Sequence, residues 1–219
     1  ILLSLTYLAV IVVALPLAFL TSLVLTSGIK FFEKIRPIFF IPWVIAPVVS
    51  AIIFRSMVDP NYGIITILIE RIIGERIYFL ADPTLSMLIV ILHSAWRSFP
   101  VITLFLVSGI LSIPREIFEA AEIDGVTGWR RLIHVILPLS KIYLFVALLL
   151  ITAWTLQDAE TIYALTGGGP GRATEVLAVR LMKEAFLYFN LGIGSALGNF
   201  LLLISTIFLI GYLILLRIR

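Results

Sequence analysis

Glu119-Ala120-Ala121-Glu122-Ile123-Asp124-Gly125, continued to Leu137-Pro138, is the longest polar interruption between strongly apolar segments that still carries a helical pattern of its own. Pro114 stands where a first-turn proline is tolerated, because the N–H it lacks would be unpaired there anyway. Gly125 stands where a helix ends and a left-handed residue is wanted. Thr127 is suited to capping the turn that follows. Trp129, Leu132, Ile133 and Ile136 then recur at helical spacing. The pattern predicts two short helices, residues 113–124 and 127–136, meeting at an angle on a membrane surface. Such an elbow suits docking to another protein.

The composition around it sets the class. Of 219 residues, 61% are hydrophobic and 13% charged, and the mean hydropathy is +1.16. A soluble domain is about half apolar and a quarter charged. The chain is therefore read as an all-α integral membrane protein, a bundle in contact with membrane lipid. It has no cysteine, which excludes disulfides, thiol nucleophiles and Cys-ligated metals. Its two histidines, His93 and His134, are far apart, so no metal site is expected. Nor is a nucleic-acid partner.

Five stretches have the length and apolarity of a membrane span: residues 2–26, 37–54, 85–111, 139–156 and 193–216. The second carries Pro37, Pro42 and Pro47. Proline removes a backbone donor, and within a membrane this is tolerated where neighbours or water satisfy the freed carbonyls. The second span is expected to be bent or broken and to line a cavity.

Lys and Arg set the orientation. One side holds Lys30, Lys34, Arg36, Arg115, Arg130, Arg131, Lys141, Arg217 and Arg219; the other holds Arg55, Arg71, Arg76, Arg172, Arg180 and Lys183. The first set is larger and closer to helix ends. It is assigned to the cytoplasm, and with it the elbow and the carboxyl terminus of a multi-pass cell-membrane protein. The outer loops are then 56–83 and 159–192. The first holds a turn at Pro60, Asn61 and Gly63, then an amphipathic run over 64–73. The second holds Gly167-Gly168-Gly169-Pro170-Gly171 and then a predicted helix over 175–189 lying along the outer face. The first stretch lacks a basic n-region and a cleavage site and is not read as a signal peptide.

Glu119-Ala120-Ala121, Gly125 four residues on, and Val135-x-Leu137-Pro138 after nine more resemble the EAA signature of permeases in binding-protein-dependent ABC importers. Val135 stands where isoleucine is usual. Ser112-Ile113-Pro114 and Asp124-Gly125 also fit. Leu165-Thr166-Gly167-Gly168-Gly169-Pro170 with Thr174 resembles the maltose-permease-like type of sugar permease, as do Pro42-Trp43 and Trp96-x-x-Phe99-Pro100. The resemblance covers nearly the whole chain, 1–219, as one type-1 transmembrane domain. That family has six core helices where five are counted here, so the first family helix is expected to be missing.

The resemblance implies two homologous permease subunits, a dimer of ATP-binding cassette ATPases, an extracytoplasmic solute-binding protein and a sugar substrate. The chain has no Walker-type Gly-x-x-x-x-Gly-Lys-Ser/Thr loop. It is therefore not expected to be an enzyme or to bind a cofactor, and ATP and Mg fall to the partner subunits. Glu119, Ala120, Ala121, Asp124, Gly125, Leu137 and Pro138 form the expected ATPase-coupling set. Glu119, Glu122 and Asp124 would meet basic groups, while Ile117, Ala120, Ala121 and Ile123 would meet an apolar groove.

The solute path is expected along the second, third and fourth spans. Arg97 lies roughly 20 Å into its helix at about 1.5 Å per residue. An ionisable group there is functional or part of a structural ion pair. Ser94, Ser98, Thr155, Gln157 and Asp158 offer hydrogen bonds, Asp158 equally as a polar helix end. Trp43, Trp96 and Trp154 stack on sugar rings or belong to the interfacial aromatic belt. His93 is read as packed, and Met182 as packing. Gly167, Gly168, Gly169 and Pro170 form either a loop facing the binding protein or a structural turn. The alternatives are the same machinery for glycerol phosphate, a polyol or another solute, an intramembrane enzyme, and an assembly subunit. The enzyme would need a nucleophile–base pair that these helices do not offer.

Overall fold

The structure is a computed structural model; it describes the backbone of residues 2–26 and 30–217, and the side chains of residues 11–26 and 37–214. Lys30, Lys34, Arg36, Arg217 and Arg219, which carry part of the charge asymmetry, lie outside the described side chains. The described elements are all helical. They are α1 (Leu2–Leu25), α2 (Lys30–Val44), α3 (Pro47–Met57), α4 (Ile64–Ile73), α5 (Pro83–Leu111), α6 (Arg115–Ile123), α7 (Gly128–Arg131), α8 (Leu137–Gln157), α9 (Glu160–Thr166), α10 (Leu177–Met182) and α11 (Leu191–Arg217). Two π-helical turns intervene, Leu132–Ile136 before α8 and Lys183–Leu187 after α10.

Each expected span is helical. Three are long and apolar enough on their own to cross a membrane: Pro83–Leu111, Gly128–Gln157 and Leu191–Ile214. The first span is α1, whose described apolar part is Ile11–Leu25. The second is broken, as its prolines predict, with Pro37–Val44 and Pro47–Met57 bent by 97°. The break follows from local rules. A residue before proline is pushed out of the helical region, and Ala46 sits at φ −54°, ψ 137°. Pro47 then occupies the first turn of α3, where its missing donor costs nothing.

The elbow differs from expectation in one respect. Residues 127–136 do not form a separate short helix. They run straight into the next span, giving one continuous helix over Gly128–Gln157. Pro138 lies inside this continuous helix. Its ring would clash with the carbonyl four residues back. The chain accommodates it by widening one turn, so that Leu137 N–H donates to Leu132 O, five residues back.

Three core clusters stack along the bundle. Ile110, Leu132 and Ile136 form the one at the elbow end, with Phe19, Leu23 and Phe118 packed against it. Ala14, Ala18, Ala95, Ile102, Leu106, Ala147 and Ile151 form the middle one. Ala51, Val58, Phe79, Ile89, Val90, Ile162, Leu165, Val176, Ala178 and Val179 form the one at the far end. α1 therefore runs in the same direction as α5, and Thr21 Oγ1 meets Thr103 Oγ1 at 2.8 Å between them. α5 and α8 cross where Gly109 has no side chain. A Cβ there would stand 2.9 Å from Ser140 Cβ and 3.0 Å from the Tyr143 ring.

The far end is capped by short elements. Asp82 accepts from Thr84 N–H at 2.9 Å and Leu85 N–H at 2.8 Å, which starts α5 behind Pro83. Asp59 closes the predicted turn by accepting from Asn61 N–H at 2.8 Å. α4 forms over Ile64–Ile73 as expected. The helix expected over 175–189 is shorter, Leu177–Met182 plus the π turn. α9 was not anticipated, and it packs against α3.

Charges tie this cap together. Glu175, its side chain 6% exposed, meets Arg172 Nε at 2.6 Å and Lys183 Nζ at 3.1 Å. Arg180 pairs with Glu184, which also accepts from Asn190 Nδ2 at 2.9 Å. Burial alone would push the Glu175 carboxyl up. The hydrogen bonds from Arg172 and Lys183, with their charges, outweigh burial and hold it below its ordinary 4.5.

Two outcomes follow. Gly109→Val should force α5 from α8 and destabilise the bundle by about 1–3 kcal/mol, the usual range for overpacking. Thermal unfolding in detergent checks this; an undiminished Tm would mean the helices do not touch there. Because the Glu175 pKa is depressed, its contribution is complete above the ordinary carboxylate value and is lost as pH falls through the lower folded value. Unfolding of the cap, followed by hydrogen exchange at residues 175–184, should become easier as pH falls below that ordinary value of 4.5. Glu175→Gln should remove that acid dependence.

Candidate functional site

Two places gather the residues singled out in the sequence: the elbow at one end of α5 and α8, and a cavity near the other.

At the elbow, α6 ends with Asp124, and Gly125 turns the chain at φ +71°. A second left-handed glycine, Gly128 at φ +53°, follows and was not foreseen. Thr127 precedes α7 in extended conformation, but its side chain makes no capping bond. α6 has two faces. Phe118 is half-buried and Ala121 is buried, 7% exposed, so Ala121 belongs to the inner face and not to a docking groove. Glu116, Ile117, Glu119, Ala120 and Ile123 are exposed. Glu116 joins the carboxylates already named. Glu119, Glu122 and Asp124 form no ion pair among the described residues. Leu137 and Pro138 are exposed on the π-turned root of α8.

The cavity measures about 530 Å³ and is lined by Trp43, Pro47, His93, Ser94, Arg97, Ser98, Trp154, Thr155, Gln157, Asp158, Ala159, Glu160 and Met182. Eight of the nine expected path residues line it. The exception is Trp96. It points to the α3 side of α5, with its ring 5.1 Å from Phe54 and 6.2 Å from His93. The helical period explains this, since Ser94, Arg97 and Ser98 share one face and Trp96 lies opposite. His93 is packed as expected, 1% exposed, with Nε2 3.0 Å from Ser50 Oγ across α3.

Arg97 is the one lysine or arginine in the lining. No carboxylate lies within 4.0 Å of its guanidinium among the described residues, and its buried Nε has no hydrogen-bond partner among them. Asp158 is held elsewhere: its Oδ1 accepts from Thr161 N–H at 3.1 Å, at the start of α9. It is thus both a cavity residue and the group that starts α9. Glu160 and Pro47 were missed, Glu160 because it sits on the unforeseen α9. Met182 does more than pack, since it also lines a larger, mostly apolar cavity of about 630 Å³ between α8, α10 and α11. That second cavity lacks charged groups and most of the expected path residues. The smaller one has the cation, the carboxylates, the hydroxyls and two exposed indoles, and is the site of interest. Among the described residues no group of His, Asp and Glu is placed to hold a metal ion.

The glycine loop folds back on its own helix. Thr174, fully buried, donates from Oγ1 to Gly169 O at 2.9 Å, and its hydroxyl meets that of Thr166 at 2.6 Å. Gly168 is buried at φ +84°, where a Cβ would stand 3.0 Å from Lys183 Nζ. Gly167, Gly169 and Pro170 are half-buried, and Gly171 and Arg172 are exposed beyond them.

Comparison with known proteins places this arrangement. The trehalose/maltose transport system permease protein of Thermococcus litoralis is 34% identical over 195 residues, 88% of this chain and 65% of its own. The sn-glycerol-3-phosphate transport system permease protein of Agrobacterium fabrum is 33% identical over 170 residues, 77% of this chain and 58% of its own. The chain thus spans about two thirds or less of the length of these two relatives. A bacterial ABC transporter involved in the import of the acidic polysaccharide alginate shares the fold at TM-score 0.84 and 20% identity, covering 97% of this chain and 77% of that one. The family described as binding-protein-dependent transport system inner membrane component matches residues 5–218. The chain belongs to that family.

Proposed function

We propose that this chain is a permease subunit of an ATP-driven importer, passing a sugar delivered by an external binding protein through the membrane by alternating access. The observation that carries this reading is shared architecture. α5 and α8, which enter and leave the elbow, also wall the cavity that holds Arg97, Trp154 and Asp158. A movement imposed on the elbow therefore reaches the cavity through two continuous helices. The relative named for trehalose/maltose transport supports a sugar as the solute.

The elbow is the docking site for a separate ATPase on the cytoplasmic side, with ATP and Mg held by that partner. Its exposed carboxylates have no ion pairs among the described residues, as a face awaiting basic groups requires. A second, homologous permease completes the solute path. The outer cap, with Gly171 and Arg172 at the exposed edge of the glycine loop, meets the binding protein. Trp43 and Trp154 offer ring faces to sugar rings; Ser94, Ser98, Thr155, Gln157 and Asp158 offer hydrogen bonds to hydroxyls.

Glycerol phosphate is the second reading. It is favoured by Arg97, whose guanidinium has no carboxylate partner among the described residues and is suited to a phosphate, and by the relative named for that solute.

Two measurements test these assignments in the complex rebuilt in liposomes. Proline fixes φ near −65° and cannot adopt the conformation of Gly125. Gly125→Pro should abolish uptake while solute binding by the external protein is unchanged; normal uptake would remove the coupling role. Arg97→Ala should change which solute stimulates ATP hydrolysis. Loss of phosphate-ester stimulation about tenfold or more, the weight of a charge-assisted hydrogen bond, would select glycerol phosphate. An unchanged profile across sugars and esters would reduce Arg97 to structure.

A further inference from the structure

The joint between α6 and α8 turns on two glycines, and backbone bonds close it, Val126 N–H donating to Ala121 O at 2.7 Å and Gly125 N–H to Glu122 O at 3.1 Å. Gly125 and Gly128 both lie in the left-handed region with open space where a Cβ would be, and Thr127 makes no side-chain cap. A lever needs its docking end rigidly tied to its arm, and these bonds stop at the turn, so side chains are left to hold α6 against the arm itself. Phe118 supplies one half of that tie. It is the α6 residue that packs on the cluster of Ile110, Leu132 and Ile136, at the root of α8. Arg131 supplies the other. Its guanidinium lies over the Phe118 ring, 4.4 Å from the centroid. Glu119, Glu122 and Asp124 are close in sequence, yet no carboxylate pairs with Arg131 among the described residues.

We propose that the Arg131–Phe118 contact is the clamp that joins the docking helix to the cavity-bearing helix, making both side chains positioning residues for energy coupling. The coupling role rests on the importer reading; the clamp itself does not. The planar guanidinium lies over the ring, and the Phe118 side chain also packs against the cluster of Ile110, Leu132 and Ile136. The contact therefore bridges the two glycines and sets the angle of α6 against the first turn of the continuous helix Gly128–Gln157. An elbow without the clamp would still dock, but part of each imposed movement would be lost as bending at Gly125.

The chain has no native cysteine, so a nitroxide pair at Glu116→Cys and Ile142→Cys reports the α6–α8 geometry alone. In the purified chain in lipid nanodiscs, pulsed electron–electron measurement should give one narrow distance distribution. Arg131→Ala and Phe118→Leu should each broaden it; Arg131→Lys and Phe118→Tyr, which keep a cation and a ring, should preserve it. An unbroadened distribution in Arg131→Ala would overturn the clamp. In the assembled complex, solute moved per ATP hydrolysed should fall about threefold in either disrupting variant, the weight of a part-exposed cation–π contact. The double variant should fall no further than the single ones. An unchanged ratio, or a double loss equal to the product of the two, would overturn the coupling role. If the unaltered complex moves no solute, the importer reading fails, and the distance distribution still decides the clamp.

Discussion

The crossing of α5 and α8 at Gly109 is the contact on which both ends of the molecule depend. With hydrogen in place of a side chain, α5 comes close enough for Ser140 and Tyr143 to occupy the space a Cβ would take. Interiors are packed too densely to yield continuously at such a point, so any relative movement of the two helices that keeps this contact is a pivot about it. From Gly109, α5 runs towards the elbow in one direction and towards Ser98, Arg97 and Ser94 in the other. From Ser140, α8 does the same towards Trp154 and Thr155. The cavity residues stand roughly 17–22 Å from the pivot at about 1.5 Å per residue. A rotation of about ten degrees at that radius would displace them by roughly 3–4 Å, the scale of movement the proposed import cycle requires. Thr21 and Thr103 tie α5 to α1 about two turns of helix away, their hydroxyls 2.8 Å apart.

Irregular backbone marks the cavity for a second reason. Within hydrocarbon, freed backbone groups are tolerated where protein covers them or where they line a water-filled space. The two interruptions of the spans at this level are the α2–α3 break at Ile45 and Ala46 and the α8–α9 break at Asp158 and Ala159. Both border the cavity, through Pro47 on one side and through Asp158 and Ala159 on the other. The prolines and the aspartate thus place a bend and an aqueous space together. The bend also brings Trp43, near the end of α2, towards the serine face of α5.

How much of this could be read from the sequence depended on the range of the deciding interaction. Spans, the broken second helix, the left-handed Gly125 and the α4 run rest on local rules, and the sequence displays them. The Ser94, Arg97 and Ser98 face follows from the helical period, which also turns Trp96 away; a stricter use of that period would have removed Trp96 beforehand. The continuity of the elbow into α8 was hidden because Pro138 normally argues for a boundary, and the widened turn that absorbs it has no short-range signature. α9 was hidden because its stability comes from α3, far away in sequence. The Arg131–Phe118 contact crosses a turn whose geometry is set by two positive-φ glycines, of which the sequence reading used one.

The two ends of the chain treat charge differently, and this difference bears on where a partner belongs. At the cap, Glu70, Glu175 and Glu184 are paired with Arg76, Arg172, Arg180 and Lys183 within the chain. Asp59, Asp82 and Asp158 accept backbone donors at the starts of turns and helices. These groups are satisfied internally, which makes the cap a self-supporting surface. At the elbow, Glu116, Glu119, Glu122 and Asp124 are exposed and form no ion pairs among the described residues, although Arg115, Arg130 and Arg131 lie within a few turns. Internal pairing there would occupy the groups a partner must use and would cost that partner the work of breaking it. Arg131 is held by a ring instead of a carboxylate, which leaves the acidic face of α6 open while still fixing the helix in place. Packing on the inner face and unpaired charge on the outer face are the two properties the proposed docking role needs, and α6 separates them onto opposite sides.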